Sequence, residues 1–97
     1  MASSKEYLEF VLEQLSDLDG IAYRAMMGEY IIYYTGKVIG GIYDDRFLVK
    51  QTKSSIELLS DTPLETPYYG AKNMFLIDVD NKELLNQVIP LIADDIK

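Results

Sequence analysis

The chain has 97 residues, 48% hydrophobic and 26% charged, a composition typical of one globular domain. It contains neither cysteine nor histidine, which excludes disulfides, thiolate–zinc sites and the usual general base near neutral pH. Sixteen acidic residues stand against nine basic ones, and the net charge of −7 disfavours contact with nucleic acid.

The first predicted element is an amphipathic helix over Ser4–Leu18. Ser3 and Glu6 have the S-x-x-E spacing of a capping box. Behind them, apolar residues recur at three- and four-residue steps and therefore share one helix face: Tyr7, Leu8, Val11, Leu12, Leu15 and Leu18. Gly20 follows at a position suited to a left-handed residue beyond the helix end.

Four strands are predicted next, because the sequence from Ile21 to Gln51 is rich in Ile, Val, Tyr and Phe, with turn residues at short intervals. Their predicted bounds are Ile21–Met27, Tyr30–Tyr34, Lys37–Tyr43 and Arg46–Gln51. Thr35-Gly36 and, less favourably, Asp44-Asp45 supply two-residue turns. Links this short force neighbouring strands to pair antiparallel, which predicts a meander.

A short helix is predicted over Lys53–Leu59, capped by Thr52 and directing Ile56 and Leu59 inward. The segment Ser60–Asn73 contains prolines and a glycine, which favour a loop or a short edge segment.

The chain is predicted to close with a strand over Met74–Val79 and a helix over Asn81–Asp95. Pro90 lies within that helix and cannot donate to the Asn86 carbonyl, so we expect a kink or a break nearby. The order α-β4-α-β-α predicts an α+β fold in one domain, residues 1–97. Its two layers are helices over a mostly antiparallel sheet.

No set of residues with catalytic spacing is found. Asp44-Asp45 and Asp94-Asp95 are adjacent acids, typical of a solvated hairpin tip and chain end. Asp78-Val79-Asp80 has only the first fragment of a calcium loop. Gly40-Gly41 favours a close crossing by a bulky neighbour; the alternative is a ligand against bare backbone. We therefore predict a protein without enzymatic activity, metal or cofactor.

Arg24 and the tyrosines are the residues that indicate binding. We expect Arg24, inside an apolar strand, to be partly buried and paired with Glu29; the alternative is an anchor for a ligand or partner. On the second strand Tyr30 faces one side of the sheet and Tyr33 the other, so both sheet faces are apolar or amphipathic. Helices cover one face, and the second is a candidate interaction surface unless the remaining helix covers it. The predicted binding residues are Arg24, Glu29, Tyr30, Tyr33, Tyr43 and Lys50.

The stretch from Tyr23 to Lys50 carries a longer pattern. An Arg is followed by Met and Gly, then by a hairpin with a Gly-Lys turn, an apolar strand, an acidic turn and a strand ending in Lys. With this pattern the chain resembles the TfoX N-terminal domain family. The residues that match the family pattern are Arg24, Met26, Gly28, Gly36 and Lys50. Met27 stands where the family usually has Phe, and Glu29 where it often has Gly.

This resemblance implies a small α+β sandwich similar to the secretion-chaperone arrangement, which often dimerises. The family is named for the TfoX/Sxy regulators of natural competence, which work with a cyclic-AMP receptor transcription factor. Those regulators carry a second, C-terminal domain, so the resemblance implies their regulatory role only in outline.

The predicted function is that of a non-enzymatic regulatory or adaptor domain that binds protein, as a homodimer or with a transcription-related partner. The alternative is a small-ligand-binding domain that holds an acidic or aromatic ligand with Arg24, the Tyr-rich sheet face and Lys50. The locally basic residues Arg46, Lys50 and Lys53 are more typical of solvated side chains than of a phosphate site. We expect no direct nucleic-acid or membrane binding and, since the start does not resemble a signal peptide, a cytoplasmic location.

Overall fold

A computed structural model describes residues 3–96 and places three helices against one sheet. The helices are α1 (Lys5–Gln14), α2 (Lys53–Leu58) and α3 (Lys82–Asp95). The strands are β1 (Ile21–Met26), β2 (Glu29–Tyr34), β3 (Lys37–Ile42), β4 (Phe47–Val49), β5 (Leu64–Glu65) and β6 (Met74–Leu76). The sheet order is β1-β2-β3-β4-β6-β5, and every pair is antiparallel, so the predicted α+β fold is confirmed. The two-residue edge strand β5 lies inside residues 60–73, where a loop or a short edge segment was predicted.

Three two-residue turns produce the meander of β1 to β4: Met27-Gly28, Thr35-Gly36 and Asp44-Asp45. In each turn both residues have positive φ, the backbone that matches the twist of antiparallel strands. Asp44-Asp45, at φ 54° and 56°, lacks glycine and is held by tertiary contacts. The Asp44 N–H donates to Glu29, and an Asp45 oxygen accepts the Ser4 N–H at 2.7 Å.

The core lies on one face of the sheet, called here the helix face. Ile32, Ile42, Phe47, Val49 and Phe75 are buried there. They pack against apolar residues of α1, its C-cap and α3: Leu8, Val11, Leu15, Leu85, Val88, Ile89 and Ile92. Each such side chain contributes roughly 1.5–3 kcal/mol through burial. The opposite side is called here the open face, because no helix of residues 3–96 joins the core from that side.

The first helix is shorter than predicted at both ends. Ser4, not Ser3, caps it, since the Ser4 hydroxyl accepts the Tyr7 N–H at 3.1 Å. The α-helical hydrogen bonds end near Gln14, and the chain tightens into i→i+3 bonds such as Leu18 N–H to the Leu15 carbonyl. Gly20 then takes φ 98°, the left-handed conformation expected of it.

The two later helices correct further predictions. Thr52 caps α2 as expected and Leu59 is buried, but Ile56 is 52% exposed. Ser55 and Leu59, four residues apart, take the inward side of this short helix, which turns Ile56 outward. Of the kink or break predicted near Pro90, the break does not occur, since α3 continues through Pro90. The free energy lost with the hydrogen bond that Pro90 cannot donate is offset by burial of the neighbouring Val88, Ile89 and Ile92.

Candidate functional site

Arg24 is exposed on β1, opposite Ile31. No carboxylate of residues 3–96 lies within 4.0 Å of its guanidinium, so the predicted burial and ion pair with Glu29 are wrong. The hairpin register explains this, because it places Glu29 opposite Met26 rather than Arg24. Arg24 is therefore a free cation on an exposed strand, within the described part of the chain.

Glu29 holds together the end of the sheet where α1 begins. Its Oε1 accepts the Ser3 hydroxyl at 2.6 Å, and both carboxylate oxygens accept the Asp44 N–H at 3.1 Å. The Ser3 oxygen in turn accepts the Asp45 N–H at 3.0 Å. The network joins the start of α1 to two hairpin tips and fixes the carboxylates of Glu29 and Asp45 in one corner, next to the exposed Asp44.

The two central glycines allow close approach on β3. A Cβ on Gly40 would lie 2.2 Å from the Leu48 carbonyl oxygen, and a Cβ on Gly41 would lie 2.7 Å from the Tyr43 ring. A bulky neighbour does approach Gly41, but it is Tyr43, two residues further along the chain, rather than an aromatic residue of an adjacent strand; its ring covers bare backbone on the open face. Burial raises the pKa of Tyr43, and the neighbouring Tyr68 and Glu29 add to the increase.

The segment after β5 folds over the open face, held by Arg46. The Arg46 guanidinium contacts Glu65 at 2.5 Å and donates to the carbonyls of Thr66 and Pro67 at 3.4 and 3.5 Å. Pro67 is consequently buried, and the Tyr68 ring lies 6.0 Å from that of Tyr43. The segment was predicted as a loop or a short edge segment, with no contact to the sheet face. The signal for that contact was the apolar pair Pro67-Tyr68.

A cavity of about 380 Å³ opens beside Tyr43 on the open face. Its lining is apolar except for one carboxylate: Met26, Met27, Glu29, Ile31, Tyr43, Pro67 and Tyr68. We call this the hairpin groove. Three of these side chains remain substantially exposed, Met27 at 97%, Tyr68 at 63% and Met26 at 48%. The groove is therefore an open apolar surface with acidic residues at one end.

The six predicted binding residues do not form a single site. Glu29 and Tyr43 meet in the hairpin groove. Tyr43 and Lys50 line a second cavity of about 460 Å³, which also contains Lys72. Tyr33 and Arg24 lie outside the lining of both cavities. Tyr30 is on the helix face, where it packs against the core and stacks edge-on with Tyr23 at 5.9 Å.

The amino-acid sequence matches a known protein family over most of its length. Residues 13–88 match the TfoX N-terminal domain. The chain belongs to the TfoX N-terminal domain family. It is also similar to the uncharacterised 12.7 kDa protein in the trpE 5′ region of Spirochaeta aurantia. The two are 33% identical over 78 residues, which span 80% of this chain and 68% of that relative.

The part matched to the TfoX N-terminal domain includes all six strands and the whole hairpin groove. Within residues 3–96 of this family member, no group of three or more acidic side chains is arranged to hold a metal ion. None of the helices in that part is long and apolar enough to cross a membrane. What its open face presents is apolar area beside carboxylates, a surface suited to binding.

Proposed function

We propose that this TfoX N-terminal domain is a non-enzymatic adaptor that binds a protein partner through the hairpin groove. The observation that carries the proposal is Met27, which is 97% exposed and has φ 52°. A residue with a Cβ in this left-handed region costs about 1 kcal/mol, and Asn or Gly would suit the turn better. A partner that covers the Met27 side chain would give a reason for an apolar residue at a strained, solvent-exposed position.

The groove also indicates the chemistry of the partner. Methionine is flexible and polarisable, which suits it to packing around an inserted apolar side chain. Glu29 lines the groove, Asp44 bonds to it, and no Lys or Arg is part of the lining. The partner surface expected here combines an apolar side chain with neighbouring basic residues. Any influence on transcription or competence would then pass through this protein contact.

The alternative of a small ligand held by Arg24, the tyrosines and Lys50 receives less support. Arg24 lies on the edge strand β1, whereas Lys50 lines a cavity on the far side of Tyr43. The two cations therefore do not converge on a shared cavity, which a single acidic ligand would require.

Photo-cross-linking in the native host tests the proposal. A photoreactive phenylalanine analogue replaces Met27 in one variant and the exposed Glu57 of α2 in a matched control. We expect defined protein adducts from the Met27 position alone. The captured protein, once purified, should bind wild type and M27L similarly and M27N at least tenfold more weakly. Identical adducts from both positions, or equal affinity for M27N, would contradict the proposal.

A further inference from the structure

The two edges of the sheet are protected very differently. β5 has only two residues and lies between Pro63 and Pro67, which cannot donate backbone hydrogen bonds. β1 has six residues, five of them exposed, with neither proline nor a bulge in its pairing with β2. Natural sheets usually shield such an edge with prolines, bulges or several charges, because it can recruit another strand. No strand of residues 3–96 pairs with the outer side of β1.

The hairpin register determines which backbone groups face outward. A two-residue turn makes Met26 and Glu29 a hydrogen-bonded pair, and the bonding then repeats at every second residue. The bond from the Thr35 N–H to the Gly20 carbonyl at 2.9 Å agrees with this phase. The alternate residues Ile21, Tyr23 and Ala25 therefore present their N–H and C=O groups away from β2, as open partners for another strand.

We propose that β1 pairs antiparallel with β1 of a second copy of this chain, with a two-fold axis at Tyr23. In that register Tyr23 faces Tyr23 of the second copy, and Ile21 faces Ala25. Three outward N–H groups from each copy then find carbonyl acceptors, and the two sheets become one. The seam runs along the outer edge of β1 and meets the hairpin groove only at Met26, and the inference does not depend on the proposed function.

The same register gives Arg24 a contact with the second copy. On the open face it lies opposite Ala22 of the second copy, and Ala22 neighbours Tyr33 on β2. Strands are about 4.8 Å apart, so the Arg24 guanidinium can cross the small Ala22 and reach the Tyr33 ring of the second copy. The two-fold axis repeats the contact. It uses three features left unexplained by one copy: the unpaired Arg24, the small Ala22 and the open-face Tyr33.

Charge supports a second copy as the occupant. Arg24 is the one charged residue of β1, so the seam brings no two carboxylates together and places each cation against a chain of net charge −7. The net charges still repel at longer range. We therefore expect the dimer to tighten as salt is raised, the opposite of an association held mainly by ion pairs between unlike molecules.

Sedimentation equilibrium from micromolar to millimolar protein tests the proposal, at about 150 mM and about 500 mM salt. The wild type should reach twice the chain mass at both salt concentrations. In the higher salt it should do so at a lower protein concentration. A25P should remain a monomer, because the Ala25 N–H faces outward and proline removes it without breaking a bond to β2. A25S, which keeps the N–H, is its control and should dimerise like wild type.

Charge variants of Ala22 test the register itself. A22K places a cation beside Arg24 of the second copy and should weaken the dimer about tenfold, whereas A22E should tighten it by a similar factor. The double variant A22K/R24E should recover the affinity lost in A22K. Circular dichroism checks folding, and the opposite signs of A22K and A22E decide the matter even if A25P fails to fold. A monomer at all concentrations in both salts, or a dimer unchanged by A22K and A22E, would overturn the proposal.

Discussion

At the scale of single residues, the adjacent Gly40 and Gly41 leave room for different groups. At Gly40 the obstacle to a side chain is the backbone of β4, which cannot move without breaking sheet bonds. At Gly41 the obstacle is the ring of Tyr43, which can rotate away at the loss of its packing. Gly40 is therefore required by the fold, while Gly41 shapes the wall of the hairpin groove.

Alanine at the two positions should separate these roles. We expect G40A to destabilise the domain by about 3 kcal/mol or more, since overpacking against backbone is poorly relieved. G41A should cost about 1 kcal/mol and expose the Tyr43 ring. Urea unfolding measures the first effect, and the absorbance titration of tyrosine the second, because Tyr43 would ionise at lower pH once displaced. Equal destabilisation by the two variants would contradict this distinction.

Met27 provides a second prediction at this scale. M27N replaces a strained residue with one that adopts positive φ readily and forms the favoured Asn-Gly turn, so stability should rise by about 0.5–1 kcal/mol. M26N, at a neighbouring position of ordinary φ, is the control and should give no gain. Chemical unfolding midpoints provide the measurement. If M27N gained partner affinity as well as stability, the role assigned to the Met27 side chain would be wrong.

At the scale of elements, the end of α3 holds the start of α2. The Asp95 carboxylate accepts the Ser54 N–H at 2.8 Å, one of the amides that a helix start leaves without a partner. This bond is the main cause of a lowered Asp95 pKa, with the Thr52 side chain contributing. The last residue of one helix thus completes the first turn of another.

The pH dependence of this contact can be predicted with its sign. A carboxyl whose pKa is lower in the folded state stabilises the fold above its unfolded pKa, near 4, and loses that contribution as pH falls through the folded pKa. D95N should therefore be less stable than wild type at pH 7, with the difference disappearing at acid pH. D94N, at the adjacent exposed carboxylate, is the control. A difference between D95N and wild type that is constant over this pH range would exclude the ionised contact as its cause.

The sequence predicted the elements better than the site, for physical reasons. Alternating Ile, Val and Tyr between turn residues determine β1 to β4, because strand period and turn chemistry are local properties. The hydrogen bond from the Arg46 guanidinium to the Pro67 carbonyl joins residues about twenty positions apart, so it leaves no periodic signal in the sequence. Partial burial of Arg24 was expected from its apolar neighbours in the strand, whereas β1 lies at the sheet edge and five of its six residues are exposed. Edge position follows from sheet order, which the local pattern does not contain.

At the scale of the whole molecule, net charge and the placement of bases act together. Arg46 is held by Glu65 and Lys82 lies 3.6 Å from Asp17. Lys37 donates to the Ala93 carbonyl at the end of α3. The basic stretch noted in the sequence therefore loses Arg46 to an internal contact, and Lys50 lines a cavity rather than a protruding surface.

These placements predict that the isolated domain does not bind duplex DNA at physiological salt. Affinity for DNA grows with the number of phosphates neutralised, and even non-specific complexes use about six such contacts on one face. A chain of net charge −7 with nine bases, several of them engaged internally, does not supply that face. A labelled duplex titrated at about 150 mM salt should show no saturable binding, and R46A, which frees Glu65, should not change this. Micromolar binding that weakens steeply with added salt would instead place the functional surface at Lys50 and Lys53, and the regulatory contact would then be with nucleic acid rather than protein.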